Sequence, residues 1–214
     1  MTTAKPPRTS ILIVVALLLA AVAYWAPWVG HPAAALKLSG QDLGEFVKFI
    51  PETGSTFPRQ LFYVPPLACS LCLVLLAVQR SAHLSRWLRI GMLACALLIL
   101  PGLLPPVWGR PKDLFTPEFR LQGLAIVFGL SAIAAHGLLR RLPRRAAGFT
   151  MVGLALLALV LPQAAFWAIR GPLWAVYNTP TIRLGWGLWL HVLAWLGVLA
   201  ATWQAFWSQP DRQE

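Results

Sequence analysis

The sequence predicts an all-α integral membrane protein, a bundle of six transmembrane helices with both termini on the cytoplasmic side (N-in/C-in). Its 214 residues are 58% hydrophobic and only 12% charged, whereas soluble domains carry about 25% charged residues. Uncharged apolar runs alternate with short charged segments, and the basic residues crowd into every second segment. This composition excludes a soluble enzyme, a disordered chain and a disulfide scaffold.

Six uncharged runs are long enough to cross a bilayer. At a rise of 1.5 Å per residue, roughly 20 residues span the ~30 Å hydrocarbon core. None of the six contains Asp, Glu, Lys or Arg, which fits a cost of about 2.5–3.5 kcal/mol for a charge at the bilayer centre. We therefore interpret residues 1–214 as a single polytopic membrane domain. Its predicted spans are Ile11–Val29, Leu61–Gln79, Ile90–Trp108, Leu121–Leu139, Ala147–Ile169 and Leu184–Trp207.

The distribution of basic residues predicts the orientation. Of the net charge of +11, the larger part lies in the segments that share a side with the N-terminus, and their density of Lys and Arg is roughly double that of the other segments. Both termini are therefore predicted to be cytoplasmic, in the plasma (inner) membrane. The strongest signal is a four-arginine turn, for which we expect contact with anionic lipids. It consists of Arg140, Arg141, Arg144 and Arg145.

The first span has a second interpretation. Lys5 and Arg8 precede an apolar run that ends in the small residues Ala21-Val22-Ala23, as in a cleavable secretory signal. Cleavage there would leave five spans. The run continues through the aromatic residues Trp25 and Trp28 to a spanning length, which favours a retained helix.

The first outer segment contains a predicted amphipathic helix over residues 40–50. Ser39 and Asp42 have the spacing of a capping box. Apolar residues follow at helical intervals until Pro51. About eleven residues form a marginal helix in water, so we expect it to lie on the bilayer or on the outer mouth of the bundle. Its apolar face consists of Leu43, Phe46, Val47 and Ile50.

Prolines in the spans concentrate in the predicted outer halves. Pro101 and Pro162 should each free a backbone carbonyl inside the membrane. Bent outer halves predict an outward-facing concavity. The polar side chains available to line it are His191, Gln163, Tyr63 and Gln122, and Arg170 and Arg183 are candidates for an anion or headgroup site at its rim. The alternative interpretations are ordinary anchoring of helix ends by these arginines and a helix-to-helix hydrogen bond by His191.

Catalytic and metal-binding motifs are absent from the sequence. Cys69 and Cys72 form a C-x-x-C pair, but they fall near mid-bilayer, where thiolates are disfavoured. No H-E-x-x-H, G-x-S-x-G or nucleotide-binding motif occurs. We therefore expect no cofactor and no metal, and we expect the chain not to be an enzyme.

The sequence favours a non-catalytic, permease-like or scaffold subunit of a larger membrane assembly, with an outward-facing lipid or partner site. Its expected partners are the bilayer, anionic lipids and other membrane subunits, but not nucleic acid, because its positive charge is a topology signal. A stand-alone small transporter or flippase-like permease is the alternative. A membrane enzyme acting on lipid or thiols is the third hypothesis.

Overall fold

The fold is known from a computed structural model, which describes residues 8–31, 37–53, 57–79, 84–104, 111–177 and 183–207. These ranges are mostly helical. The α-helices are α1 (Arg8–Trp25), α2 (Gly40–Phe46), α3 (Val64–Val78), α4 (Arg86–Ile99), α5 (Arg120–Ala134), α6 (His136–Leu139), α7 (Arg144–Tyr177) and α8 (Trp186–Trp207). Short 3-10 helices occupy Val47–Phe49, Arg59–Tyr63, Leu100–Leu103 and Pro111–Phe115.

Five helical segments of the described chain are long and apolar enough to cross a membrane. They correspond to the first, second, third, fifth and sixth predicted spans, and they are Arg8–Trp25, Arg59–Val78, Arg86–Leu103, Arg144–Val176 and Trp186–Trp207. Large apolar side chains on them face outward. For example, Leu98 is 72% exposed and Leu193 is 66% exposed, which suits contact with lipid.

The fourth predicted span is interrupted. Helix α5 ends at Ala134, a turn follows at Ala135, and α6 has only four residues. Nδ1 of His136 lies 2.9 Å from the carbonyl oxygen of Ile133. In a continuous helix this oxygen would accept a hydrogen bond from the backbone amide of Gly137. Glycine at that position also lowers helix propensity.

Several helix bounds differ from the bounds of the predicted spans. Helix α1 stops at Trp25 instead of Val29, because Pro27 disfavours helical backbone at the residue before it. Helix α7 does not stop at Ile169 but continues to Tyr177, through Pro162 and Pro172. The third span leaves α-helical geometry at Leu100, next to Pro101, and residues 105–108 of that prediction lie outside the described ranges.

Helix α3 occupies the centre of the bundle. It packs against α1, α4, α5 and α7, and nearly all its side chains are buried. The hydroxyl of Ser70 donates a hydrogen bond of 3.0 Å to the carbonyl of Ala96 on α4, so a polar group in this apolar core is satisfied. Helix α8 packs between α1 and α7.

A small folded unit covers one end of the bundle, and we call it the cap. It contains a three-stranded antiparallel sheet in the order β2-β1-β3, formed by β1 (Pro27–Gly30), β2 (Leu38–Ser39) and β3 (Arg183–Leu184). Helix α2 and the 3-10 helices Val47–Phe49 and Arg59–Tyr63 complete it. The sheet lies close to the start of α8, since a Cβ on Gly187 would lie 2.7 Å from the backbone of Ala26.

Candidate functional site: the charged cluster of the cap

A buried ion pair lies at the centre of the cap. Glu45 is 7% exposed and Arg59 is 7% exposed. Nη1 of Arg59 donates to Oε1 and Oε2 of Glu45 at 3.1 and 3.2 Å, and the hydroxyl of Tyr63 donates to Oε1 at 2.7 Å. Two different donor groups thus satisfy a carboxylate that would be costly to bury alone.

Lys48 and Glu118 extend this pair into a neutral four-residue cluster. The ammonium of Lys48 contacts the carboxylates of both Glu45 and Glu118. Nη2 of Arg59 donates to the backbone carbonyl of Glu118 at 2.7 Å and lies 3.4 Å from its carboxylate. The ring of Phe119 lies 4.9 Å from the Lys48 ammonium and 5.1 Å from the Arg59 guanidinium. The cluster therefore joins the end of α2, the 3-10 helix Arg59–Tyr63 that leads into α3, and the loop before α5.

Glu118 is the exposed member of the cluster, with a side chain 52% exposed. The hydrogen bond from Lys48, together with the positive charges of Lys48 and Arg59, holds the pKa of its carboxyl below the usual range, against a smaller opposing effect of burial. Glu118 is therefore ionised at neutral pH, and its attraction to the two cations is fully present there.

A partly open cavity of about 520 Å³ adjoins the cluster. Its volume lies within the range of small-molecule and peptide-side-chain pockets. Its lining mixes charged, amide and apolar groups. The lining residues are Val47, Lys48, Phe57, Arg59, Gln60, Pro117 and Glu118.

The predicted amphipathic helix is what places Glu45 and Lys48. The hydroxyl of Ser39 accepts from the amide of Asp42, and the Asp42 carboxylate accepts from the amide of Ser39 at 2.9 Å, so the capping box forms. The α-helical part is shorter than predicted and becomes 3-10 helix at Val47. Its apolar face packs onto the bundle. In that face Leu43, Val47 and Ile50 are buried, and Phe46 is half-buried.

The four side chains predicted to line an outer concavity lie in different places. The hydroxyl of Tyr63 donates to Glu45 of the charged cluster, and Gln122 neighbours that hydroxyl. His191 is fully buried; its Nε2 lies 3.0 Å from the carbonyl oxygen of Ala158, and its ring centroid is 4.7 Å from that of Trp28. That contact is the helix-to-helix hydrogen bond considered above. Gln163 is half-buried on α7.

Unpartnered buried polar atoms remain inside the bundle. In the described chain, both amide atoms of Gln122 and Nε2 of Gln163 have no hydrogen-bond partner, and Nδ1 of His191 has none either. Whether these groups meet a ligand stays a prediction.

The candidate lipid-contacting arginines differ in their surroundings. Arg170 is exposed and lies over the rings of Trp167 and Trp174, and Arg183 is exposed in β3. In the four-arginine turn, Arg140, Arg141 and Arg145 are exposed. Arg144 instead donates to the carbonyl of Ala205 at the end of α8 and lies 5.9 Å from the ring of Phe206. It therefore holds α7 against α8, a role the sequence did not indicate.

The cysteines have packing roles where the structure describes them. Cys69 and Cys72 are buried, Cys95 is half-buried, and all three are free thiols. The thiol of Cys69 donates to the carbonyl of Leu17 on α1 at 3.2 Å. Among the described residues, no group of three His, Cys, Asp or Glu side chains could hold a metal ion.

The sequence did not single out Glu45, Arg59 or Glu118 as site residues. A signal was present, since Glu45 and Lys48 stand three residues apart in a chain with only 7 acidic residues. Their pairing with positions 14 and 70 residues away depends on the fold and has no local pattern.

No family model, no curated protein and no solved structure matches this chain.

Proposed function

We propose that the chain is a non-catalytic, permease-like or scaffold subunit of a larger plasma-membrane assembly, and that the cap is the surface on which a partner subunit docks. In this proposal the chain crosses the membrane six times, the cap faces outward, and both termini are cytoplasmic.

Contacts at the two ends of the bundle support six crossings. Glu118, just before α5, contacts the cap. Arg140, just after α6, neighbours Arg89 at the start of α4, and α6 packs along α3. The α5–α6 segment thus leads from the cap to the opposite end. Its twenty residues, Arg120 to Leu139, correspond to about 30 Å as helix, despite the break at Ala135.

Charge supports the orientation. The end opposite the cap carries the four-arginine turn and Arg89. At the cap, the two cations of the cluster are matched by two carboxylates. By the positive-inside rule, the end that carries the arginine-rich turn is the cytoplasmic one.

The observation that carries the subunit role is the internally neutralised charged cluster beside an open cavity. The buried carboxylate of Glu45 accepts hydrogen bonds from Arg59 and Tyr63, so its charge is bound by groups within the cap. The cavity beside them presents Gln60, Lys48 and Glu118 next to Phe57 and Pro117. A fixed surface of mixed polarity is typical of non-obligate protein interfaces.

Photocrosslinking in native membranes tests this role. A benzoylphenylalanine residue at Gln60, inside the cavity, is expected to crosslink to one distinct protein, and the same residue at exposed Glu52 elsewhere on the cap serves as the matched control. Purification in mild detergent should yield that protein in stoichiometric amount. A chain that purifies alone, gives no Gln60 crosslink and transports a substrate in liposomes would instead establish the stand-alone transporter.

A further inference from the structure

An arginine held between two tryptophans stands on the exposed side of α7. The guanidinium carbon of Arg170 lies 5.1 Å from the ring centroid of Trp167 and 5.3 Å from that of Trp174. The two rings are at positions i−3 and i+4, the neighbours of Arg170 on the helix surface. Both distances are within the range of a cation–π interaction.

Both rings have apolar neighbours. Trp174 packs against the buried apolar cluster of the cap and of α7, which includes Phe166 and Leu173. Trp167 meets Phe166 edge to face, with ring centroids 5.7 Å apart. Because the guanidinium lies over the rings, its N–H edges are left for a planar or tetrahedral anion, the geometry in which arginine binds phosphate with two hydrogen bonds.

Arg170 also lies at the depth of lipid headgroups. Helix α7 begins with Arg144 and Arg145, and the 24 residues that follow, Ala146–Ile169, are uncharged. They span about 36 Å at 1.5 Å per residue, slightly more than the hydrocarbon core. Arg170 is the first charge after this run, and tryptophans favour the same interfacial level.

The charge of Arg170 has no internal counterion in the described chain. Every salt bridge there involves Lys48 or Arg59 with Glu45 or Glu118. A positioned guanidinium at headgroup depth, without a carboxylate partner among the described residues, suits an anion supplied from outside the protein.

We propose that Trp167, Arg170 and Trp174 bind the phosphate group of a membrane phospholipid. This site rests on one part of the proposed function, that α7 crosses the membrane. It is independent of any partner subunit and lies apart from the cap cavity.

Native mass spectrometry of the purified chain tests the site. The chain is titrated in detergent with phosphatidylglycerol and, separately, with a diacylglycerol of the same acyl chains. Arg170→Gln is expected to weaken phosphatidylglycerol retention about five-fold, equivalent to about 1 kcal/mol for one basic residue at an anionic surface. Arg170→Lys should give an intermediate loss, because it keeps the charge and loses the planar fork. Diacylglycerol retention should be the same in all variants.

Arg120→Gln is the matched control, because Arg120 is also an exposed arginine at the cap end of the bundle and, in the described chain, lies over no aromatic ring. It should leave retention unchanged. Equal retention by wild type and Arg170→Gln would overturn the site. Loss of the bound lipid to excess inorganic phosphate, with phosphate binding abolished by Arg170→Gln, would overturn the lipid assignment and make free phosphate the ligand. Because only the isolated chain is used, the absence of a partner subunit leaves this test intact.

Discussion

Removing the buried arginine of the cap should open the cap without unfolding the bundle. Arg59→Met deletes both hydrogen bonds from Nη1 to the Glu45 carboxylate and the 2.7 Å bond to the carbonyl of Glu118. Breaking a buried ion pair from one side costs about 3–5 kcal/mol. We expect the lower end, about 3 kcal/mol, because Lys48 and Tyr63 still contact Glu45.

Hydrogen–deuterium exchange measures this cost locally. When opening is fast and reversible, the exchange rate of a buried amide is proportional to its opening equilibrium. At 1.4 kcal/mol per factor of ten, the amides of residues 43–50 should exchange more than about 100-fold faster in Arg59→Met. Amides in the middle of α3 should be unaffected. Arg120→Met, an exposed arginine at the start of α5, serves as the control and should change neither region.

A double variant separates the charge from the packing. Glu45→Met together with Arg59→Met replaces the buried pair by apolar side chains, a change that is often neutral in stability. We expect most of the lost protection to return. If Arg59→Met alone leaves exchange at residues 43–50 unchanged, the cluster does not hold the cap. If the double variant is no better than the single one, the cost comes from shape and not from an uncompensated charge.

Three further predictions follow from contacts elsewhere. The pKa of the Glu118 carboxyl is lowered, so its contribution to cap stability is full above the ordinary value of 4.5 and is lost as the pH falls through the lowered value. Acid should therefore speed hydrogen exchange in the cap, after correction for intrinsic rates, less in Glu118→Gln than in the wild type. Gly187→Ala should destabilise the bundle by about 1–3 kcal/mol, because its Cβ would meet backbone at 2.7 Å, while Gly153→Ala, with no atom within 4 Å, should be neutral or stabilising in a thermal assay of buried-thiol labelling. Arg144→Gln should lower stability in the same assay by about 1 kcal/mol through loss of its bond to the end of α8, and exposed Arg141→Gln should not; equal effects of the two would refute the role of Arg144.

Features governed by local chemistry were predictable from the sequence. Five of the six predicted spans correspond to long apolar helices, since an uncharged run of that length has few alternatives to a membrane helix. The capping box at Ser39 and Asp42 was also predictable, because its two hydrogen bonds join residues three positions apart.

Features that depend on distant contacts were not predictable. Strand β1 looked like the end of a span, because Trp28 and Val29 are as apolar as their helical neighbours. Pairing with β2 and, more than 150 residues away, with Leu184 of β3 makes that segment a strand. The burial of Glu45 likewise depends on Arg59 and Tyr63, which belong to another segment of the chain.

The predicted arrangement of the chain across the membrane can be measured by labelling two introduced cysteines in whole cells. The native thiols are buried or half-buried, and the unsubstituted chain supplies the background. A membrane-impermeant maleimide should label Gln60→Cys, in the cap cavity, from outside intact cells. Arg141→Cys, at the opposite end, should react only after permeabilisation. Labelling of both positions from the same side would contradict six crossings, and labelling of Arg141→Cys alone from outside would contradict an outward-facing cap.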